Sequence, residues 1–439
     1  MSLIVHRPSR FCIECKNEKG FTVFAFDAKM IRMAHFRERH VLEPFSKLIR
    51  HARIVGILGH RQVGKTTFIQ THSREYVTLD EKEDLNEARN EPKAFLSRLS
   101  GHHSAIDECQ LAPELFPALK VRVGTKQTPG QFILSGSVRF TSREAIRESL
   151  TGRISNLEVF PLTLSELDQG KNGDFFLRVL TAPTLKQAIA HEVSDPALHH
   201  HRKQLIEKYL SHGGLPGICF VRELQTRRNL LKDLLETILD RDVRLVYPTT
   251  LPYQTLSEFC SALAESPEEV VNHAAIQRIT GISTVTQKRL LRALEGVFLL
   301  RRIPLEGDYR GDLFWFEDQM ERAHFSASKE FHEWDWIGLV YRNLRAQFGY
   351  RLGEFPLYSH YRTRGGAQVP LVIQSQGKRL GVFAFSSDDE ITSHRIRSAE
   401  SFLKKYESAR VVFLMLNERT PRLIGERMAV VPMSSVLFG

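Results

Sequence analysis

Arg53-Ile54-Val55-Gly56-Ile57-Leu58-Gly59-His60-Arg61-Gln62-Val63-Gly64-Lys65-Thr66-Thr67 is the stretch that decides the fold of this chain. Its apolar first half reads as a buried strand that runs into a glycine turn. A helix pattern follows from Thr67-Phe68-Ile69-Gln70. Between them, GHRQVGKTT satisfies G-x-x-x-x-G-K-[ST] in the setting where that pattern has a mechanism, a loop from strand to helix. The glycines let the loop wrap closely, so the backbone of Gly59, His60, Arg61, Gln62, Val63, Gly64, Lys65, Thr66 and Thr67 can turn N–H groups toward a phosphate chain. On this reading Lys65 pairs with the β and γ phosphates of ATP, and the Thr66 hydroxyl ligates Mg²⁺.

Two further apolar runs, Ser104-Ala-Ile-Asp107 and Gln131-Phe-Ile-Leu-Ser-Gly-Ser137, alternate with helical patterns. Strands alternating with helices imply a parallel sheet covered on both faces. Ile106-Asp107-Glu108 ends the first of these runs and offers the two carboxylates that nucleotide hydrolysis needs. Asp107 suits the metal, and Glu108 suits the attacking water. At the tip of the next run, Ser137 is a polar side chain placed to sense the γ-phosphate or to position water. Glu148-Ser-Leu-Thr-Gly-Arg153 then supplies an arginine for the charge that develops in phosphoryl transfer. Arg153 can act in its own chain or across a subunit contact, the latter requiring a homo-oligomer.

The chain has 439 residues, enough for two or three cored domains. No apolar run approaches the roughly 18 residues of a membrane span, and the first residues lack a secretory pattern, so a cytoplasmic protein without a membrane partner is expected. Five scattered cysteines do not form a disulfide framework. The net charge of +10 and the pI near 9.4 favour anionic partners, DNA first among them, with a protein partner as the alternative. Cys12, Cys15, His35 and His40 could arithmetically bind zinc, but their spacing exceeds that of a usual finger. The histidines read better as a solvated basic face. Cys109 reads as a packed core thiol.

Four regions follow. Residues 1–50 form an arm and one helix, with helical apolar spacing from Ile31 to Leu48. Residues 51–165 are the P-loop core. Residues 166–305 are mostly helical and include a helix, glycine turn and helix around Gly281-Ile-Ser, followed by a strand, as in a winged-helix-like unit. Residues 306–439 form a second α/β domain with strands at Leu313-Phe-Trp-Phe, Leu371-Val-Ile, Leu380-Gly-Val-Phe-Ala-Phe and Val411-Val-Phe-Leu-Met-Leu. Its helix is expected from Trp336 to Phe348. The segment Asp195-Pro-Ala-Leu-His-His-His-Arg reads as a surface linker.

The series GHRQVGKTT, AIDECQLAPELFPALK, FILSGS, SLTGR and VFPLTLSEL resembles AAA-type P-loop ATPases of bacteria and archaea whose nucleotide domain precedes an uncharacterised C-terminal region. YLSHGGLPGI, ILDRDVR and GISTVTQKRLLRALEGVFLLRRIPL are similar to the second half of that family. The resemblance implies an α/β fold class: a P-loop NTPase core with a parallel sheet, a helical and winged-helix-like middle, and a C-terminal α/β restriction-endonuclease-like domain. It also implies ATP and Mg²⁺ as cofactors. The nuclease pattern of that family resembles tyrosine-arginine, then an aspartate on one strand, then glutamate-x-lysine on the next. Tyr361-Arg362 is in place, but Pro370 stands at the aspartate position and Phe383-Ala-Phe385 at the glutamate-x-lysine position. The expected helix from Trp336 carries no glutamate. Metal-dependent cleavage needs oxygen ligands that these residues lack, so an ATPase switch with a silent nuclease-like domain is expected over an ATP-gated nuclease. Asp388, Asp389 and Glu390 are the local acids left to rescue cleavage, and a scaffold that holds ATP without turnover is the third reading.

Overall fold

A computed structural model of the chain describes residues 14–16, 22–24, 36–125, 127–140, 152–193, 195–265, 270–327, 331–351 and 356–439. Besides a short antiparallel pair, Glu14–Lys16 with Thr22–Phe24, the molecule is built on two larger sheets, each with apolar side chains on both faces.

The first sheet has five strands: β1 (Ile54–Leu58), β2 (Glu75–Thr78), β3 (Ser104–Asp107), β4 (Phe132–Gly136) and β5 (Ile154–Glu158). Their spatial order is β2-β3-β4-β1-β5, with every neighbouring pair parallel. The three apolar runs of the sequence are its central strands, fully buried because helices cover both faces. Parallel pairing brings all the carboxyl ends to one edge. There β1 turns into the P-loop and α2 (Lys65–His72), after α1 (Leu42–Leu48) earlier in the chain.

The middle region contains α3 (Pro196–His212), α4 (Leu224–Thr237) with a π-helical turn Ile238–Asp242 continuing it, and α5 (Tyr253–Ala264). Next come α6 (His273–Thr280) and α7 (Thr284–Gly296), joined across Gly281, whose φ of +70° suits the left-handed helix cap there. The glycine turn expected at this point is present. Leu231, Leu235, Phe259, Leu290 and Leu294 share one core with Val55, Ile57 and Phe68 of the P-loop domain.

The second sheet has eight strands: β6 (Leu300–Gly307), β7 (Asp312–Phe316), β8 (Leu357–Arg362), β9 (Gln368–Ser375), β10 (Lys378–Phe385), β11 (Arg410–Met415), β12 (Arg422–Gly425) and β13 (Met428–Pro432). Their order is β12-β13-β11-β10-β9-β8-β6-β7. It is packed by α8 (Gln319–Phe325), α9 (Glu333–Gly349) and α10 (Ser393–Lys405). Each expected strand of this domain is present. A division at residue 305 falls inside β6, which pairs with β8 and so belongs to this sheet. Arg301 on β6 and Arg345 on α9 converge on Glu158 and Glu317, tying the end of β5 to the second sheet. Burial raises the cost of a charge on Glu317, yet the two guanidiniums outweigh it and hold the carboxyl well below its usual range.

Three sequence expectations need correction. The helix expected from Ile31 begins only at Leu42, since residues 36–39 are irregular and residues 31–35 lie outside the described set. The segment at Asp195 is no linker. Asp195 caps α3, accepting from the Ala197 and Leu198 N–H groups, and Pro196 fills the first helical position. His199 is buried there against Ser434. Finally, α9 starts at Glu333 rather than Trp336, so the helix does carry a glutamate.

Candidate nucleotide-binding site

The site begins with the backbone of the loop. Gly59 has a φ of +154°, and a Cβ there would lie 2.2 Å from the Val159 carbonyl oxygen, so β1 can pass this close to the chain after β5 only with glycine. Gly64, with φ +93°, is the N-cap of α2 and provides no side-chain cap. The first-turn N–H groups of α2 therefore receive no side-chain acceptor from the cap, which suits an anionic ligand at the positive end of the helix.

Lys65 is buried and donates to the carbonyls of Gly59, at 3.1 Å, and His60, at 2.9 Å. Burial lowers its pKa, partly opposed by the nearby carboxylates of Glu108 and Asp107. A partly desolvated ammonium folded over its own loop gains most by moving onto a phosphate. The Thr66 hydroxyl donates to Asp107 Oδ2 at 2.7 Å, bringing together the two oxygens that the sequence assigned to Mg²⁺. The Tyr76 hydroxyl, 3.0 Å away, and Ser135 also donate to this carboxylate. Burial and then the Asp107 charge push Tyr76 up to about 12, so it remains a donor. This hard-oxygen donor set suits Mg²⁺.

Glu108 adopts a left-handed conformation with φ +52° just past β3, uncommon for a residue with a Cβ and a local strain at the site. Its carboxylate accepts from the Gln110 side-chain amide, which also reaches Ser137 Oγ at 3.2 Å. Ser137 thus lies beside Glu108, just past the end of β4. Gln110, fully buried, was missed by sequence reasoning. The signal was its position two residues beyond Glu108. Cys109 is a packed thiol that donates to the Ser135 carbonyl, and burial raises its pKa well above normal.

Arg153 is not brought to this edge in its own chain. It precedes Ile154, which is level with Ile54 at the amino end of β1, whereas the loop leaves the carboxyl end. A five-residue strand, roughly 15 Å long, separates the two. Of the four residues considered for zinc, Cys12 and His35 lie outside the described residues, and the His40 ring bonds the Gly170 carbonyl at 2.8 Å.

The loop is also gripped from outside its own domain. Arg39 donates to the Val63 carbonyl at 2.6 Å and to the Phe160 carbonyl at 2.6 Å while pairing with Glu166. Arg61 makes two bonds to Asp242, at 2.8 and 3.1 Å. His60 Nε2 lies 2.7 Å from Glu321 Oε1 on α8, both side chains fully buried. Glu321 Oε2 also accepts from the Asp318 N–H, and Asp318 accepts from the Gly214 N–H at 2.7 Å.

A parallel sheet in the order β2-β3-β4-β1-β5, a phosphate loop after the buried strand β1 and paired acids at the end of β3, across β4 from it, define a P-loop NTPase core. Residues 51–168 match the family model described as an AAA domain, and residues 203–306 match one described as a domain of unknown function, DUF8612. The chain is 23% identical over 418 residues to the uncharacterized proteins Rv2008c of Mycobacterium tuberculosis and Mb2031c of Mycobacterium bovis, covering 89% of this chain and 82% of each relative. Among solved structures it is similar to the Walker-type ATPase paby2304 of Pyrococcus abyssi, with 15% identity, a TM-score of 0.37, and coverage of 66% of this chain and 95% of that one. Among the described residues no helix is long and apolar enough to cross a membrane.

Proposed function

We propose that this protein is a Mg²⁺-dependent ATPase whose hydrolysis drives a change of shape rather than the cutting of a nucleic acid. The observation that carries the reading is the junction of Lys65, Thr66, Asp107 and Glu108 at one edge of the parallel sheet, with the Thr66 hydroxyl already on the Asp107 carboxylate. When bound, Mg²⁺ supplies charge neutralisation at the β and γ phosphates. Thr66 and Asp107 would hold it. Lys65 gives up its loop carbonyls to bind phosphate oxygens, and Glu108 orients and deprotonates the attacking water, with Gln110 and Ser137 fixing its carboxylate. Arg153, at the far end of its own sheet, serves a neighbouring subunit on this reading, which makes a homo-oligomer part of the proposal.

The second domain supports the silent reading. Pro370 lies on β9 and Phe383 and Phe385 on β10, the two positions to which the resemblance to a restriction-endonuclease-like domain would assign an aspartate and a glutamate-x-lysine. The corresponding cleft, about 230 Å³, is lined by Pro370, Phe383, Trp334 and an ion pair between Glu333 and Arg395. Phe383 is stacked on Phe413, 4.8 Å between centroids, and fills the face where a metal ligand would be needed. Glu333 is one acid, and it is committed to Arg395. Two of the three acids of the following turn are occupied as well: Asp388 pairs with Arg422, and Glu390 accepts from the Ser386 and Ser387 N–H groups. An ATP-gated nuclease is therefore disfavoured.

Phosphate release from ATP and Mg²⁺ tests the proposal with wild type, Lys65→Ala and Glu108→Gln. The expected result is turnover in wild type and a loss on the order of 100-fold or more in each variant. Equal rates in all three would sink the ATPase, and binding of ATP with no turnover in wild type would leave only the scaffold.

A further inference from the structure

The outer face of the helix pair α6–α7 has no role in the nucleotide site. From Val270 to Leu294 the chain contains no aspartate or glutamate, but it contains Arg278, Lys288, Arg289 and Arg292. The last three lie with Val285 at positions i, i+3, i+4 and i+7 of α7, one exposed stripe of the helix. Among the described residues, none of these four cations forms an ion pair or a side-chain hydrogen bond. By contrast, Arg301, Arg322, Arg345 and Arg395 elsewhere in the second half of the chain all meet carboxylates. Two apolar side chains flank the turn on the same outer surface, Ile279 at 67% and Val285 at 61% exposure.

The stripe is held rigidly. Gln287 on the inner face of α7 is fully buried. Its amide oxygen bonds the His273 ring at 2.7 Å, while its nitrogen reaches the carbonyls of His273 at 3.0 Å and Ile282 at 2.8 Å. One side chain thus fixes both helices and the turn between them. Ser283 caps α7 through its hydroxyl and the Thr286 N–H. The hairpin β6–β7 follows, and the tip of that hairpin adjoins the start of the helix pair, since Gly311 packs against Val270. Arg310 and Tyr309 are exposed at this tip.

We infer that α7 is a recognition helix that enters the major groove of duplex DNA, with Lys288, Arg289 and Arg292 on the phosphates that border the groove and the β6–β7 tip alongside. Two helices across a glycine turn, the second carrying an outward cationic stripe, have the geometry for this docking. The B-form major groove is about 12 Å wide and admits a helix. The deep, narrow groove of duplex RNA does not, which assigns the surface to DNA. The unpaired cations supply the charge complementarity, and the rigid helix pair sets their backbone positions before DNA arrives. This surface goes beyond the ATPase reading and does not depend on hydrolysis.

The test is anisotropy of a fluorescein-labelled mixed-sequence duplex, about 30 base pairs long, titrated with full-length protein without nucleotide between about 50 and 200 mM salt. The triple variant Lys288→Ala, Arg289→Ala, Arg292→Ala is expected to bind at least about tenfold more weakly. The slope of log affinity against log salt should fall by roughly 2 to 3, because each lost phosphate contact removes about 0.9. A charge-matched control, Lys82→Ala, Lys93→Ala, Lys120→Ala, and the variant Lys65→Ala should both bind as wild type does. Retention of DNA binding by Lys65→Ala, with its phosphate release abolished as expected, would keep the two proposals separate. The inference is overturned if wild type does not bind the duplex, if the triple variant keeps its affinity and salt slope, or if acidic polypeptide or anionic vesicles bind at this stripe in place of DNA.

Discussion

Glutamine in place of Glu321 probes the buried pair that joins the P-loop to α8. His60 Nδ1 lies 2.6 Å from the Arg61 carbonyl, which can only accept, so that nitrogen carries a proton. At 2.7 Å from Glu321, Nε2 then needs a second proton between ring and carboxyl, as imidazolium with carboxylate or as imidazole with carboxylic acid. The two groups titrate as one unit. Burial pushes Glu321 up, and on His60 the burial penalty is outweighed by the Glu321 carboxylate, so both move upward. The folded pair keeps its proton above the ordinary histidine value of 6.5, while the unfolded chain releases its histidine proton there. The stability this proton contributes is fully present below that value and is lost as pH rises through the raised one. The slope approaches about 1.4 kcal/mol per pH unit. In Glu321→Gln the amide oxygen can keep the Asp318 N–H bond, now 3.0 Å, and the amide nitrogen can donate to a neutral His60. No shared proton remains. Urea unfolding of both proteins from about pH 6 to about pH 9 should give a stability difference that shifts against wild type by about 1 kcal/mol per unit as pH rises through this window. A difference that stays flat across the range would refute the shared proton.

Two further outcomes follow from other buried groups. Asp242→Ala leaves the Arg61 guanidinium, with 20% of its side chain exposed, without its two-point partner. The expected cost is about 2 to 4 kcal/mol in urea unfolding, and a loss under about 0.5 would show that the contact adds nothing. His360 is fully buried, and burial drives its pKa down to about 4 despite the bond from its ring to the Pro370 carbonyl. Since the unfolded ring takes up a proton near 6.5, stability should drop by about 3 kcal/mol as pH falls from that value to about 4. Thermal midpoints of wild type and His360→Gln, scanned across that interval, would converge if the reasoning holds and run parallel if it fails.

The P-loop, the acids of β3 and the strand pattern were legible because each rests on contiguous residues whose types are dictated by phosphate or sheet chemistry. Gly59 and Gly64 need positive φ, and Asp107 needs the end of a buried strand. Signals that were local but competing were misread. The apolar period from Ile31 suggested one long helix, yet Arg39 and His40 are spent on Glu166, Val63, Phe160 and Gly170, which holds the chain before α1 in an irregular path. The histidine run after Asp195 suggested exposure, while Asp195-Pro196 is itself a helix-start signal. Arg153 could not be placed from its spacing, because which end of β5 it occupies depends on the parallel register with β1. The partners of the loop were not legible at all: Asp242 and Glu321 lie far along the chain, and no local pattern marks them as contacts of Arg61 and His60.

That last gap has a physical origin in the motif. In G-x-x-x-x-G-K-T the phosphates use backbone N–H groups of the x positions, so phosphate chemistry leaves the side chains there unspecified. This chain uses them for contacts with other elements. His60 goes to α8, Arg61 to the π-helical turn after α4, and Gln62 lies against Gly217, where an added Cβ would come 3.0 Å from its amide oxygen. The same α8 carries Arg322, bonded to Asp335 at 2.9 Å in the first turn of α9, beside the Glu333 that lines the cleft of the second domain. Any displacement of the loop backbone toward a bound phosphate must therefore strain or move three elements outside the P-loop domain, one of which ends at the second sheet. A loop whose side chains faced only solvent could bind the same phosphates and transmit nothing. The residues at positions 60 to 62 are thus where a nucleotide-driven change of shape would be coupled to the rest of the chain; Asp242→Ala cuts one of those couplings and Glu321→Gln replaces the charged link at His60 with a neutral hydrogen bond, neither touching the backbone groups that bind phosphate.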